Sequence, residues 1–105
     1  MIAQTSKAPY YAVIFTSIRT EIDEDYLKTA TQMEELAILQ PGYLGHESAR
    51  ESIGITVSYW KDLESIKNWK KQSDHLLAQK NGREKWYSAY KIRICLVERD
   101  YDFKL

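Results

Sequence analysis

The residues of this chain best suited to chemistry are one histidine and a set of aromatic rings in its second half: Tyr59, Trp60, Trp69, His75, Trp86 and Tyr87. An imidazole titrates near neutrality, so His75 is suited to accept a proton from an acidic phenol or to donate a hydrogen bond to it. The rings are suited to form flat apolar walls with a few polar tips, the lining that holds a planar molecule. His75 and Trp69 are therefore the candidate catalytic pair, and Tyr59, Trp60, Trp86 and Tyr87 the candidate substrate-binding residues. Each has a plainer reading as well. His75 could pack or cap at the start of a helical piece, Trp69 would fill the core from an apolar helix stripe, and the other rings could serve packing or an interface. His46, just after Gly45, reads as an exposed hairpin residue with little functional weight. No metal-ligand spacing, nucleophile elbow or glycine-rich phosphate loop occurs in the chain, so neither a metal nor a cofactor is expected.

A chain of 105 residues is the size of one domain, and two halves would each hold too small a core. Fifteen basic and fifteen acidic residues cancel, which argues against nucleic acid or an anionic membrane as partner. Lys67, Lys70 and Lys71 form the one basic cluster and read as a solvated helix face. Cys95 stands alone in an apolar run, so no intrachain disulfide can form and a reducing cytoplasmic location is expected. No run approaches the ~18 apolar residues of a membrane span.

These residues need elements to position them. Residues 1–9 are polar and aperiodic and read as a flexible leader, with a single folded domain over residues 10–105. Tyr10 to Ile18 is β-branched and aromatic on both alternating faces, the pattern of a strand buried on two sides. Thr20 and the acidic group Asp23, Glu24 and Asp25 signal a helix start. Ile22, Tyr26, Ala30, Met33 and Ala37, flanked by Leu27 and Leu36, give it an apolar stripe. Pro41-Gly42 ends it. Tyr43 to Arg50 and Ile55 to Trp60 form a hairpin candidate across a short polar turn.

Asp62 then caps a second helix with Leu63, Ile66 and Trp69 inward, and Ser73 or Asp74 could re-cap a further piece holding His75. Asn81-Gly82 either ends that helix or lies within it. Tyr90 to Glu98 closes the domain as a strand, with Tyr90, Ile92, Ile94 and Leu96 on one face. The order β-α-β-β-α-β predicts an α+β, ferredoxin-like fold: a four-stranded antiparallel sheet with both helices on one side. The other face of that sheet carries apolar groups in either register. A second copy is the economical cover, so a homodimer forming an α+β barrel is expected.

With these residues assembled, the chain resembles the antibiotic biosynthesis monooxygenase family of dimeric α+β barrel proteins. The resemblance rests on Gln40-Pro41-Gly42-Tyr43-Leu44-Gly45, the strand closing at Trp60, the helix Glu64-Ser65-Ile66 to Trp69, and His75, and it covers Tyr10 to Arg99. It implies cofactor-independent oxidation of a small aromatic or quinol-like compound, with a small planar aromatic molecule as the partner. Other members resemble heme-degrading enzymes. That branch places an Asn on the first strand and a His ten residues beyond the helix tryptophan. Here Trp69 matches, but Gln79 stands ten residues on and Tyr11 to Ile18 holds no Asn. A non-catalytic, small-molecule-binding or stress-associated dimer is the alternative reading, and heme binding survives only with His75 as a substitute ligand.

Overall fold

In the computed structural model, which describes residues 1–105, the elements run β1 (Tyr10–Arg19), α1 (Tyr26–Ile38), β2 (Tyr43–Arg50), β3 (Gly54–Trp60), α2 (Leu63–Gln79), α3 (Gly82–Trp86) and β4 (Tyr87–Val97). The strands form one sheet in the order β2-β3-β1-β4, and every neighbouring pair is antiparallel. This is the ferredoxin-like α+β arrangement expected from the sequence, with a short third helix added before β4.

Register sorts the side chains into two faces, because residues directly opposite one another point the same way. Tyr11, Val13, Phe15 and Ser17 of β1 lie opposite Trp60, Ser58, Thr56 and Gly54 of β3 and opposite Leu96, Ile94, Ile92 and Tyr90 of β4. This face meets the helices, for Trp60 stacks on Trp69 of α2 with ring centroids 5.8 Å apart. Tyr10, Ala12, Ile14 and Ile18 share the opposite face with Tyr59, Val57 and Ile55. In β2 Tyr43 pairs with Trp60 and Gly45 with Tyr59, so Leu44 is an extra residue that bends the strand.

Local chemistry accounts for the helix limits. The helix α1 starts at Tyr26, three residues past Asp23 and six past Thr20, and its N-cap Asp25 makes no side-chain cap. Thr20 Oγ1 instead donates to the Lys85 carbonyl at 2.7 Å, tying the end of β1 to α3. Tyr26, Ala30, Met33, Leu36 and Ala37 do form the inward stripe of α1, whereas Ile22 and Leu27 are exposed. Asp62 caps α2 as expected, accepting from the Ser65 amide at 2.8 Å and the Ser65 hydroxyl at 2.6 Å. No second cap forms at Ser73 or Asp74. The helix runs unbroken to Gln79, and Asn81, at φ 52°, turns the chain into α3.

Residues 1–9, read from sequence as a leader outside the core, lie against the sheet face away from the helices. The Ala3 amide donates to Glu47 Oε2 at 2.8 Å and Thr5 Oγ1 donates to the Tyr10 hydroxyl at 2.9 Å. Only 11 of the 105 residues are buried, so the isolated chain leaves much of its apolar surface for something else to cover.

Candidate functional site: an aromatic groove on the helix side of the sheet

The helices do not cover the whole sheet. On the helix side of β4, Ile92, Ile94 and Leu96 are 45%, 53% and 51% exposed. They sit beside half-buried Phe15, Val13 and Tyr11 of β1. Together these six residues floor an apolar groove along the β1–β4 half of the sheet. At one end it meets the Trp60–Trp69 stack, which adjoins Tyr11 through the Tyr11–Trp60 pairing.

At the other end stands a ring cluster. Phe15 contacts Tyr87 at 5.5 Å and Tyr90 at 5.4 Å between centroids, and Tyr26 of α1 meets Tyr87 at 6.2 Å. Burial, first of all, and then Tyr26 push the Tyr87 phenol far above its ordinary value, so it stays protonated and can only share its proton as a hydrogen bond. Three guanidinium groups border this cluster, that of Arg83 lying 6.0 Å over the Tyr90 ring. That of Arg19 lies 3.3 Å over the Tyr26 ring and is tied down through Nε to the Trp86 carbonyl at 3.2 Å and through Nη2 to the Ile22 carbonyl at 2.8 Å. Arg50 crosses β3 and donates to Ser17 Oγ. It can do so because position 54 is glycine: a Cβ there would stand 2.0 Å from Arg50 Nη2. Ser17 is its one hydrogen-bond partner, which leaves further N–H groups able to meet an anionic oxygen.

The expected site residues are thus only partly brought together. Trp69 and Trp60 are in contact, and Tyr87 lines the far end of the groove. Trp86 is almost wholly buried, donates from Nε1 to the Glu24 carbonyl at 2.9 Å, and packs against Gly82. Its position is that of core. Tyr59 points to the opposite face, where its hydroxyl donates to Glu47. His75 is exposed about one turn before the end of α2, nine residues from buried Ile66, which is about 180° around the helix. The sequence reading gave no site role to Arg50, Phe15 or the Tyr90, Ile92, Ile94 and Leu96 face of β4. Of these the β4 face alone, Tyr90 included, was legible, as an alternating apolar set.

His46 is better placed than the sequence suggests. It is half-buried on the helix side of β2, with Nδ1 bonded to the Tyr43 hydroxyl and Nε2 3.8 Å from Glu34 Oε1 on α1. β3 separates β2 from the groove, so this cluster belongs to the β2–α1 seam. A cavity of about 440 Å³ also opens between α2 and α3, lined by Asp74, Leu77, Ala78, Asn81, Arg83 and Glu84. Asp74 and Arg83 already approach each other there at 3.6 Å, and no aromatic ring reaches it, so the groove is the better site for a planar ligand. The heme-type ligand positions do not converge on it: Gln79 and His75 are both exposed on α2.

A four-stranded antiparallel split βαβ sheet with its helices on one face defines a ferredoxin-like α+β domain. Comparison with known proteins makes the class specific. Residues 9–81 match the family model described as antibiotic biosynthesis monooxygenase, and the chain belongs to that family. It is 44% identical to the uncharacterized protein YqjZ of Bacillus subtilis (strain 168) across 98% of this chain and 92% of that one. Among solved structures it resembles SnoaB, a cofactor-independent oxygenase from Streptomyces nogalater, with a TM-score of 0.71 at 13% identity, covering 89% of this chain and 97% of that one. The NE2512 protein of unknown function from Nitrosomonas europaea gives a TM-score of 0.74 at 10% identity, covering 94% and 99%. At such identities these structures share the fold.

Proposed function

We propose that this chain is a cofactor-independent monooxygenase that takes a small, planar, quinol-like aromatic into the groove over β1 and β4. The observation that carries the reading is the half-exposed row Ile92, Ile94 and Leu96, running from a tryptophan stack to phenols and a guanidinium with unused donors. Apolar walls would strip water from the ligand, and the Arg50 charge would stabilise the phenolate or enolate formed when the substrate loses its proton. Such an anion is electron-rich enough to reduce dioxygen. In the balanced reaction a ring methylene becomes a carbonyl: one atom of O2 enters the product and the other leaves as water. In this proposal the chain acts as a homodimer, with Ile14, Ile18 and Ile55 of the sheet face away from the helices packed against a second copy.

The test is oxygen uptake with a panel of anthrone- and naphthol-like quinols. Arg50→Gln should lower kcat/KM about tenfold or more, the scale of one charge-assisted hydrogen bond to an anion. Equal turnover by parent and Arg50→Gln would sink the oxygenase role of the groove. One observation favours a second reading, a non-catalytic binding dimer: no imidazole faces the groove to act as a base. That reading expects saturable binding of the same quinols with no oxygen consumed.

A further inference from the structure

The C-terminal tail after β4 has the pattern of a strand with no sheet to join. Tyr101, Phe103 and Leu105 alternate with Asp102 and Lys104, and these three apolar side chains are 91%, 84% and 108% exposed. β4, for its part, is an edge strand with one unpaired side, and it presents its own alternating set. Ile92, Ile94 and Leu96 lie half-exposed on the helix side, with Lys91 and Arg93 on the other. Neither Lys91 nor Arg93 has an ionic partner in the chain, and neither has Asp102. We infer that the tail of a second copy adds as a strand to the open edge of β4. Tyr101, Phe103 and Leu105 then extend the apolar row on the helix side, and Asp102 lies beside Lys91 and Arg93 on the other.

The tail cannot easily serve its own edge. Asp100 accepts a hydrogen bond from Tyr10, whose ring lies on the face away from the helices against Tyr59. Residue 100 is therefore drawn over β1, inward of β4. Returning to the outer side of β4 means crossing two strand spacings, about 10 Å, which takes about three residues, so Tyr101 and Phe103 cannot lie along that edge. A second copy packed on that same face is within reach of the departing tail. This inference rests on the proposed dimer and deepens it, since the groove then has part of its floor supplied by the partner copy. It also pairs an exposed strand edge, which would otherwise invite edge-to-edge association.

The test uses the full chain carrying Ile94→Cys and Phe103→Cys with Cys95→Ser, treated with a short thiol-to-thiol cross-linker. Light scattering during size exclusion first establishes the state of the parent. A monomeric parent overturns the dimer and the strand addition together. If the parent is a dimer, the double-cysteine chain should run as a covalent dimer on a denaturing gel, and neither single-cysteine chain should. An intrachain link, or no link in a chain that is still dimeric, overturns the strand addition and leaves the dimer standing. Deleting Tyr101 to Leu105 provides the second measurement, with self-association expected to weaken roughly tenfold or more. Unchanged self-association would count against the inference.

Discussion

Single residues here do their work through the neighbours they touch. Trp60 is the best-buried ring in the molecule, clamped between Tyr43 at 5.7 Å and Trp69 at 5.8 Å. Trp60→Ala should cost about 3–5 kcal/mol in chemical denaturation, the range for emptying a large core site; a cost below about 1 kcal/mol would show that the stack is not core. Glu47 offers a test by pH. Its carboxyl is held below the ordinary value of 4.5, first by the Tyr59 hydroxyl and then by the Ala3 amide. A depressed folded-state value means the ionised form stabilises the fold. That contribution is complete above the ordinary value and is lost as the pH falls below it through the folded value. Glu47→Gln should therefore flatten part of the acid limb of the stability curve below about pH 4.5. Part of the limb should remain, because Asp62 is shifted in the same direction by Ser65. Identical acid limbs in parent and variant would remove Glu47 from the balance.

At the scale of elements, glycines decide how closely strands, turns and side chains approach. Gly42 sits at φ +85°, and a Cβ there would stand 2.0 Å from Ser65 Oγ, inside the cap of α2. Gly42→Ala must strain the backbone and disturb the cap together, so a loss of about 2 kcal/mol or more is expected in thermal melts. Gly54 is a different case. Its added methyl would meet only the end of the Arg50 side chain, which can swing away. Gly54→Ala should leave stability within about 1 kcal/mol of the parent while weakening ligand binding through the displaced guanidinium. Loss of both together would mean that the position is structural.

The same scale explains what could be read from the sequence. The strand and helix order, the two faces of β1 and the apolar face of β4 follow from periodicity, and the Asp62 cap from residue type. The site was harder. Tyr59 and Trp60 are neighbours in sequence and so point to opposite sides of a strand, and His75 sits where the helix turns it outward. Arg50 gains its place only through a glycine four residues on and a serine on another strand, a contact between distant segments that no local pattern announces. The unbroken passage of α2 past Ser73 and Asp74 was hidden for a related reason: Asp74 pairs with Lys70 and Arg83 rather than capping.

At the scale of the whole molecule, the proposed small-molecule chemistry belongs to the groove on the helix side of β1 and β4. The exposed row on β4, the unused donors of Arg50 and the unpaired tail all point to that half of the sheet, while His75 lies on the outer side of α2. The most direct measurement is the binding of a naphthol-like quinol by isothermal titration to the parent, Ile94→Glu, Arg50→Gln and His75→Ala. Saturable binding by the parent and by His75→Ala, lost in Ile94→Glu and weakened about tenfold in Arg50→Gln, is the expected result. Binding that survives a glutamate at position 94 but disappears with His75 would contradict it.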